Sequence, residues 1–412
     1  MERKALSGIR VIDMTQFEAG PVSTLTLAQM GAEVIKIERP KYGEQARMGA
    51  RSSRGTQGPG ADSIHFALLN PNKKSITLNA KTENGKKLLT ELIKKGDVII
   101  ENFAAGTMER LGFPWEKIHE INPRIIYGTI KGYDDRSPFA KYPCFDGVAQ
   151  AMGVVCSITG NHDGPPMMTG PNLADNLSGI YMATSVLAAL YQREFTGQGQ
   201  MVRVNMQEVV MQTCRGAFVC QFDDDQENVR WGNIKFPNRA PHNMYACKKR
   251  SEDSINDYVM IYVSPVPGSK QWGEFCDIIG KPEWTNDPVM SDPMERAKHR
   301  EEIDSVITAW TSQHDKEEVM RIMSEAGVPC GMVTSTKDVA TEPFYRETKA
   351  VVEVEHPVLG KHLTLGSAWH LSDSPCEVTA SPTLGQHTEE IYKGLLGLTD
   401  EQLSAYKAEG TI

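Results

Sequence analysis

Short apolar stretches and longer amphipathic stretches alternate through the first half of the chain. The short stretches, rich in Ile and Val, predict strands at residues 9–12, 33–37, 75–78, 98–100 and 124–129. Helical spacing of apolar residues predicts helices at 21–30 and 84–95. This alternation indicates a mostly parallel sheet with helices packed on it, a Rossmann-like α/β fold. The loops at 15–19, 38–39 and 101–104 follow strands, so we expect them to face a ligand site.

The pattern changes after Met206. An antiparallel pair of strands is predicted at 245–248 and 258–263, and helices at 270–279, 294–311 and 316–326. Strand patterns return at 351–354 and 362–365, before a last predicted helix at 388–395. The chain therefore divides into a large Rossmann-like domain at 1–205, a linker at 206–230, a smaller α+β domain at 231–330 and a C-terminal segment at 331–412.

The segment at 164–199 brings a single carboxylate, Asp175, to the start of an apolar helix. The helix is predicted from the spacing of Leu177, Ile180, Thr184, Leu187 and Tyr191. Asp175 then lies at or next to the N-cap, where capping is worth about 1 kcal/mol. The other interpretation is a nucleophile. Backbone N–H groups and the helix dipole favour an ionised carboxylate at neutral pH, and such a carboxylate can attack an acyl carbon.

Composition narrows the possible partners. The chain has 412 residues and a net charge of −9, which argues against nucleic acid as a partner. No apolar run approaches the roughly 20 residues of a membrane span and no secretory core is present, so we expect a cytoplasmic protein without membrane contact. Eight cysteines without a C-x-x-C pair and ten histidines without ligand spacing suggest neither a disulfide framework nor a metal site.

The predicted topology raises a dinucleotide-dependent oxidoreductase as one alternative. The turn after the first strand reads TQFEAGP, which lacks the G-x-G-x-x-G pattern that lets the backbone approach a pyrophosphate. The acidic Glu38 after the second strand is weak support by itself. The sequence therefore gives this alternative little weight.

Several longer segments carry a more specific signal. They read LSGIRVIDMTQFEAGP at 6–21, MGAEVIKIERP at 30–40, LNPNKKSITLNAKTENGKKLL at 69–89, DVIIENFAAGTMERLGF at 97–113 and NPRIIYGTIKGY at 122–133. The Asp175 segment, REFTGQGQMVRVNMQE at 193–208, GVPCGMV at 327–333 and LGQHTEEIYKGLLGL at 384–398 continue the series. In this order they resemble the family III CoA-transferases, known from formyl-CoA transferase, over nearly the whole chain.

The resemblance implies an acyl-CoA substrate and a homodimer of ring-shaped, interlocked subunits in which residues 331–412 return to the large domain. It also implies that Asp175 is the catalytic nucleophile. Asp175 would form a mixed anhydride and then an aspartyl-CoA thioester, from which a second carboxylic acid takes the CoA. By the same resemblance, the residues that bind CoA or lie beside the thioester are Glu18, Ala19, Arg39, Leu78, Lys81, Asn102, Phe103, Ala104, Arg110, Phe145 and Asp146.

An acidic protein needs local positive charge to bind CoA, whose phosphates are anionic. The candidates near predicted strand ends are Arg39, Lys73, Lys74, Lys81 and Arg110. For each of them a solvated surface side chain is the alternative. We expect Arg39 and Arg110 to be the ligands.

Two further functions are compatible with this family. An α-methylacyl-CoA racemase uses a His next to an Asp, whereas this chain has Cys144 and Phe145 before Asp146, and Phe145 cannot exchange a proton. Asp146 itself is either a site residue or a structural hydrogen-bond partner. A non-catalytic CoA-binding subunit of a hetero-oligomer is the second alternative, and the presence of Asp175 disfavours it.

Four departures from the formyl-CoA:oxalate transferases bear on the acceptor. Their Gln is Glu18 here, a pocket Trp is Gly49, a Tyr beside the thioester is Phe145, and their glycine run is missing from residues 237–259. Losing the Trp opens space, and losing the hydroxyl removes a polar contact suited to a tiny acid. We therefore expect an acceptor larger than formate or oxalate, such as a dicarboxylic or aryl-substituted acid. Glu18 is unfavourable beside an anionic acceptor unless it is protonated or turned away.

Overall fold

The chain folds into two compact units, of which the first is built on a parallel sheet. The structure is a computed structural model that describes residues 3–48, 58, 60–234, 238–264, 266 and 269–412. The first unit comprises Met1–Ser157, Met168–Asn228 and Pro343–Ile412, and the second comprises Ile158–Met167 and Val229–Glu342.

The sheet of the first unit has six strands, and every neighbouring pair is parallel. The strands are β1 Arg10–Asp13, β2 Glu33–Glu38, β3 Lys74–Thr77, β4 Val98–Glu101, β5 Ile126–Lys131 and β6 Met201–Asn205. Their order, β3-β2-β1-β4-β5-β6, is that of a doubly wound sheet. β4 is buried at every position, as expected of a strand covered on both faces. The predicted α/β class is confirmed. In such sheets ligands bind where the winding reverses, here between β1 and β4.

Helices of the first unit pack on this sheet, and other helices belong to the second unit. In chain order they are α1 Ala19–Gln29, α2 Ile64–Leu69, α3 Glu83–Lys95, α4 Thr107–Leu111, α5 Trp115–Ile121, α6 Asp146–Met152, α7 Val155–Ile158, α8 Leu173–Thr196, α9 Met206–Thr213, α10 Phe218–Asp224, α11 Lys270–Ile278, α12 Pro293–Arg296, α13 Arg300–Thr311, α14 Lys316–Glu325, α15 Thr336–Thr341, α16 Pro343–Glu347, α17 Thr388–Leu396 and α18 Asp400–Ala408. The predicted helices at 21–30 and 84–95 are α1 and α3. Thr82 caps α3 by accepting from the Gly85 N–H at 3.0 Å.

The C-terminal segment completes the core of the first unit. Ile391 and Tyr392 of α17 belong to the same buried cluster as Ile12 and Ile76 of the sheet. The Tyr392 hydroxyl donates to the Thr77 carbonyl at 2.9 Å, which ties α17 to the end of β3. The end of the chain therefore packs where the sheet would otherwise have an open edge at β3.

The second unit contains the antiparallel pair predicted from sequence, with one strand more. β7 His242–Ala246 pairs with β8 Tyr258–Tyr262, and β8 pairs in turn with β9 Cys330–Met332, all antiparallel. The predicted domain boundary at residue 330 falls inside β9, because the pairing of β9 with β8 keeps this segment in the second unit. A separate antiparallel hairpin, β10 Val351–His356 and β11 Gly360–Leu365, belongs to the first unit.

The helix predicted at 294–311 is interrupted. It consists of α12, a 3-10 turn at Ala297–His299 and α13. The buried Arg296 guanidinium donates to the Ala240 carbonyl at 2.7 Å and lies 4.1 Å from the Trp272 ring. A break in the helix at this point lets Arg296 turn into the core, which the apolar periodicity of the sequence does not reveal.

Helix α8 is the longest helix of the described residues. Its 24 residues include a window of mean hydropathy 1.2, so length and composition alone would allow it to cross a membrane. Polar residues such as Asn176, Ser178 and Thr184 interrupt this helix, so it is not the continuous apolar run that sequence analysis would read as a membrane span. Within the first unit α8 packs against α1 and β5, and 44% of that window is buried, as in the core helix of a folded domain.

Candidate active site

A cavity of about 400 Å³ opens at the carboxyl ends of β1, β4 and β5. It lies between the strands where the winding of the sheet reverses, as expected for a doubly wound fold. The loops after β1 and β4, predicted at residues 15–19 and 101–104 to face a ligand site, line this cavity through residues 16–19 and 102–104, and its use as a ligand site stays a prediction. Its walls include Gln16, Phe17, Glu18, Ala19, Asn102, Phe103, Ala104, Lys131, Tyr142, Cys144, Phe145 and Asp175.

Asn102 fixes the two loops to each other. Its side-chain amide donates to the Gln16 carbonyl and accepts from the Gln16 N–H, both at 2.8 Å. The next N–H, that of Phe17, donates to Glu44 Oε2 at 3.0 Å, and Phe17 has a positive φ of 61°. A bulky residue holds this conformation only where its surroundings impose it. Asn102, expected to bind CoA, thus already uses its amide to shape the cavity.

Asp175 is the third residue of α8 and does not cap it. Asn172 occupies the N-cap position. In the first turn, the backbone N–H groups of Ala174 and Asp175 have no acceptor within the helix. Both donate instead to Asp146 Oδ1, at 2.8 and 3.1 Å. The other Asp146 oxygen accepts from Gln150 at 2.6 Å. Asp146 therefore performs the capping role considered for Asp175. The Asp175 carboxylate accepts no hydrogen bond from any residue that the structure describes.

The electrostatic surroundings of Asp175 correct the expectation that it is ionised at neutral pH. Burial raises the pKa of Asp175 from 3.8 to about 7, and the negative charges of Glu18 and then Asp146 act in the same direction. The N–H groups at the start of α8 were expected to lower the pKa of Asp175. They donate to Asp146 instead and so do not stabilise the charge of Asp175. Asp175 therefore keeps its proton to a much higher pH than an exposed aspartate does.

Glu18 reaches Asp175 because α1 and α8 pack unusually closely. A Cβ on Gly179 would lie 2.6 Å from Val22 Cγ1 and 2.8 Å from the Ala19 carbonyl oxygen, so only glycine fits at this crossing. The Glu18 carboxylate accepts from Asn172 Nδ2 at 2.5 Å and from Asn176 Nδ2 at 2.8 Å. These two amides flank Asp175 in the sequence and hold Glu18 at the first turn of α8.

A second cavity, of about 250 Å³, adjoins the first, since Gln16, Gln45 and Phe103 line both. Four of the residues expected to bind CoA line it, namely Arg39, Leu78, Lys81 and Phe103. Arg39 and Lys81 are exposed and form no ion pair with any described residue. Arg110 lines neither cavity. Its guanidinium instead donates to the Thr107 hydroxyl at 2.8 Å, and Thr107 lies in the wall of the second cavity.

Two lysines considered as CoA ligands are used inside the fold. Lys73 is buried and donates to Asp13 at 3.2 Å, and burial lowers its pKa to about 8. Burial opposes ionisation of Asp13, but Lys36 and Lys73 outweigh it and lower the pKa of Asp13 to about 2. Lys74 pairs with Glu33 and Glu390. Charge pairing within the sheet layer, which a single sequence does not disclose, removes Lys73 and Lys74 from the candidate ligands.

Phe145 and Cys144 lie at the mouth of the first cavity. The Phe145 ring is exposed and meets Phe17 edge to face, with centroids 5.8 Å apart. Burial raises the pKa of the Cys144 thiol, so Cys144 is not a competing thiolate nucleophile. Gly49 lies outside the described residues, as does Pro237. Among the described residues no group of three or more His, Cys, Asp or Glu side chains is placed to hold a metal ion.

Comparison with known proteins identifies the family of the chain. Residues 6–388 match the sequence pattern of CoA-transferase family III. The chain belongs to this family. The formyl-CoA:oxalate CoA-transferase of Streptomyces coelicolor is 41% identical, with the match covering all of both chains. The enzyme of the same name from Bradyrhizobium sp. (strain ORS 278) is 39% identical over 99% of this chain and 97% of its own. A solved structure of a CAIB/BAIF family protein from Brucella suis has a TM-score of 0.81 at 26% identity, covering 96% of this chain and all of that one.

This family III CoA-transferase also has site residues that sequence analysis missed. Asn172 and Asn176 donate to the Glu18 carboxylate. Residues four apart lie on one face of a helix, so their spacing around Asp175 could have indicated that both face the site. Lys131 lines the cavity at the end of β5. Its Nζ lies 2.9 Å from each carboxylate oxygen of Glu101, so this ion pair neutralises its charge. The wall of the cavity is therefore poorer in free positive charge than its residue types suggest.

Proposed function

We propose that this protein transfers CoA from an acyl-CoA to a carboxylic acid larger than formate or oxalate, with Asp175 as the covalent nucleophile. One observation carries the proposal. The Asp175 carboxyl lies in the cavity wall and is left without hydrogen bonds from described residues, because Asp146 caps the helix in its place. A carboxylate in that state is basic and accessible, as a nucleophile must be.

The reaction exchanges one acyl–sulfur bond for another in four steps. The Asp175 carboxylate attacks the donor acyl carbon and the C–S bond breaks, which gives a mixed anhydride and CoA thiolate. The thiolate attacks the Asp175 carbonyl carbon and releases the donor carboxylate, leaving aspartyl-CoA thioester. The acceptor carboxylate attacks that thioester to form a second anhydride and thiolate. The thiolate then attacks the acceptor acyl carbon and restores the Asp175 carboxylate, with no net proton change.

The start of α1 is suited to stabilise the charge that develops on the reacting carbonyl oxygens. Ala19 and Gly20 begin this helix beside Asp175, and the first N–H groups of any helix lack intrahelical acceptors. Such donors, fixed by the loop that Asn102 and Glu44 hold, stabilise an oxyanion without having to reorganise. Enclosure of the intermediates also has to exclude water, which would hydrolyse either anhydride.

The second cavity is the proposed site of the CoA moiety. Arg39 and Lys81 supply positive charge without internal partners among the described residues, and Leu78 and Phe103 offer apolar surface. The nucleotide phosphates of CoA would then lie near Arg39 and Lys81, with the thioester in the adjoining cavity near Asp175. Arg110 would act from the rim, through the same wall as Thr107.

A carboxylic acid that carries an apolar group fits the first cavity better than a small polar acid does. Phe17, Tyr142 and Phe145 contribute exposed aromatic surface to its mouth. An aryl-substituted acid would bury that surface, whereas formate and oxalate would leave it wet. We further propose a cytoplasmic homodimer of interlocked subunits, by likeness to the family.

Trapping of the intermediate tests the function. The protein is incubated with a panel of acyl-CoAs, quenched with hydroxylamine or borohydride, and mapped by mass spectrometry. We expect an adduct on Asp175 that is absent from Asp175→Ala and present in Asp373→Asn, which changes an exposed aspartate elsewhere in the same unit. Deuterium uptake from solvent at the acyl α-carbon without an adduct would instead indicate a racemase. Binding of CoA without turnover would indicate a non-catalytic subunit.

A further inference from the structure

Glu18 introduces a second carboxylate beside the nucleophile, and it is held there on both oxygens. Oε2 accepts from Asn172 and Oε1 from Asn176. Asn176 also donates to the Asn172 carbonyl at 2.8 Å. The two side-chain amides are therefore linked to each other as well as to Glu18 on the first turn of α8. Neutral amide donors stabilise a carboxylate without cancelling its charge.

The Glu18 carboxylate has no counter-ion among the described residues. Among the described residues, no Lys, Arg or His side chain lies within ion-pair distance of it. Of the lysines in the cavity wall, Lys131 is paired with Glu101 and Lys141 is exposed to solvent. Among the described residues, the charges that act on Asp175 are those of Glu18 and Asp146, both negative.

The order of the reaction makes Glu18 most important when the acceptor arrives. At that stage Asp175 is linked to CoA as a thioester and carries no charge, so Glu18 and Asp146 are the carboxylates left near the start of α8, and of these two only Glu18 lines the cavity. An acceptor must bring its own reacting carboxylate to this point. A second carboxylate on a short acid would lie close to Glu18 as well.

We propose that Glu18 is a specificity-determining residue that selects monocarboxylic acceptors and rejects short dicarboxylates. The inference rests on the proposed transferase function. At a separation of about 6 Å and an effective dielectric constant of about 20, repulsion between two unit charges disfavours binding about a hundredfold. Because Glu18 is half-buried, solvent reduces this, and at least a tenfold discrimination is expected. Of the two acceptor classes suggested by the sequence, this favours the aryl-substituted monocarboxylic acid.

Acceptor pairs of equal size and unequal charge test the proposal. Oxalate is compared with oxamate and succinate with succinamate, using the donor acyl-CoA that gives the Asp175 adduct. The value of kcat/KM for each acid is measured at pH 8 for the wild type, Glu18→Gln and Glu194→Gln. The last variant removes a charge from the exposed far end of α8. The ratio within a pair does not depend on the ionisation of Asp175, because both acids meet the same enzyme.

We expect the wild type and E194Q to prefer each amide over its dicarboxylate at least tenfold, and E18Q to reduce that preference at least tenfold. A wild type that uses the dicarboxylate equally well or better would overturn the proposal. So would an unchanged ratio in E18Q, or an E18Q that folds but transfers to no acid. Should E18Q not fold, as judged by circular dichroism, the wild-type ratio alone decides. Failure of the wild type with every acid would refute the proposed transferase function itself.

Discussion

Replacing Asp175 by Asn should stabilise the protein while it abolishes transfer. Burial, Glu18 and Asp146 raise the pKa of Asp175 from 3.8 to about 7. Each tenfold change in proton affinity corresponds to about 1.4 kcal/mol, so ionised Asp175 lowers the free energy of unfolding by the order of 4 kcal/mol. An Asn of the same shape carries no charge and avoids this penalty.

The pH dependence of the effect follows from its sign. Below about pH 4 both the folded and the unfolded protein hold the Asp175 proton, and the wild type bears no penalty. Between about pH 4 and pH 7 the unfolded chain has lost the proton and the folded protein retains it, so wild-type stability falls as pH rises. Above about pH 7 the penalty is constant. The advantage of Asp175→Asn should therefore be about 1–2 kcal/mol at pH 5 and about 4 kcal/mol at pH 8.

Denaturant unfolding at pH 5, 6 and 8, at one protein concentration, measures this difference for the wild type, Asp175→Asn and the control Asp373→Asn. The control should follow the wild type at every pH. An Asp175→Asn protein no more stable than the wild type at pH 8 would refute the reasoning. A gain of the same size at pH 5 and pH 8 would also refute it, because it would not come from a proton.

Three further predictions concern the neighbours of Asp175 and the CoA cavity. The kcat/KM for acyl-CoA should rise with pH to a plateau above about pH 7, and Glu18→Gln should move the rising limb to lower pH, as a pH–rate profile will show. Asp146→Ala should lower the free energy of unfolding by about 1–2 kcal/mol and also lower kcat, whereas Asp146→Asn retains an acceptor for the helix and should be milder, which denaturation and kinetics together would check. Arg39→Ala should raise KM for acyl-CoA about tenfold with kcat within about twofold, and Arg110→Ala should do less, since only Arg39 lines the cavity; equal effects would contradict this placement.

Five of the six strands of the parallel sheet were predicted because each carries its own signal, whereas β6 was missed because it is exposed at Met201 and Arg203 and lacks a continuous apolar run. Val98–Glu101, for example, is a continuous apolar run that ends in a charged residue, and such a run is typical of a strand covered on both faces. Helix α18 was missed for the opposite reason. Only Leu403 among its nine residues is fully buried, so almost no apolar periodicity marks it. Local capping by Thr399 and Gln402 starts this helix, and Leu403 with the partly buried Tyr406 attaches it to the core.

The location of the site was predictable, but its electrostatics was not. The loops after β1 and β4 had to meet at one edge of a parallel sheet, and a carboxylate at the start of the apolar helix α8 was visible in the sequence. The pKa of Asp175 depends on Glu18 and Asp146, which lie 157 and 29 residues away in the chain (175 − 18 and 175 − 146). The approach of Glu18 depends on the crossing of α1 and α8 at Gly179, and that of Asp146 on the packing of α6 against α8, both of which only the folded structure reveals.

Asp146, Asp175 and Glu18 lie around the N-terminus of α8 and have different roles. Asp146 takes the N–H groups and so provides the capping that α8 needs. Asp175 is thereby denied the hydrogen bonds that would have lowered its pKa, and it remains basic, as its proposed role as nucleophile requires. Glu18 raises that basicity further, and at pH 7 it also leaves part of the nucleophile protonated. A neutral residue at position 18 would give more ionised Asp175 but a weaker nucleophile. The charge of Glu18 lowers the ionised fraction of Asp175 at pH 7. It is therefore useful only if the gain in selectivity among acceptors, or in the reactivity of ionised Asp175, is larger than this loss.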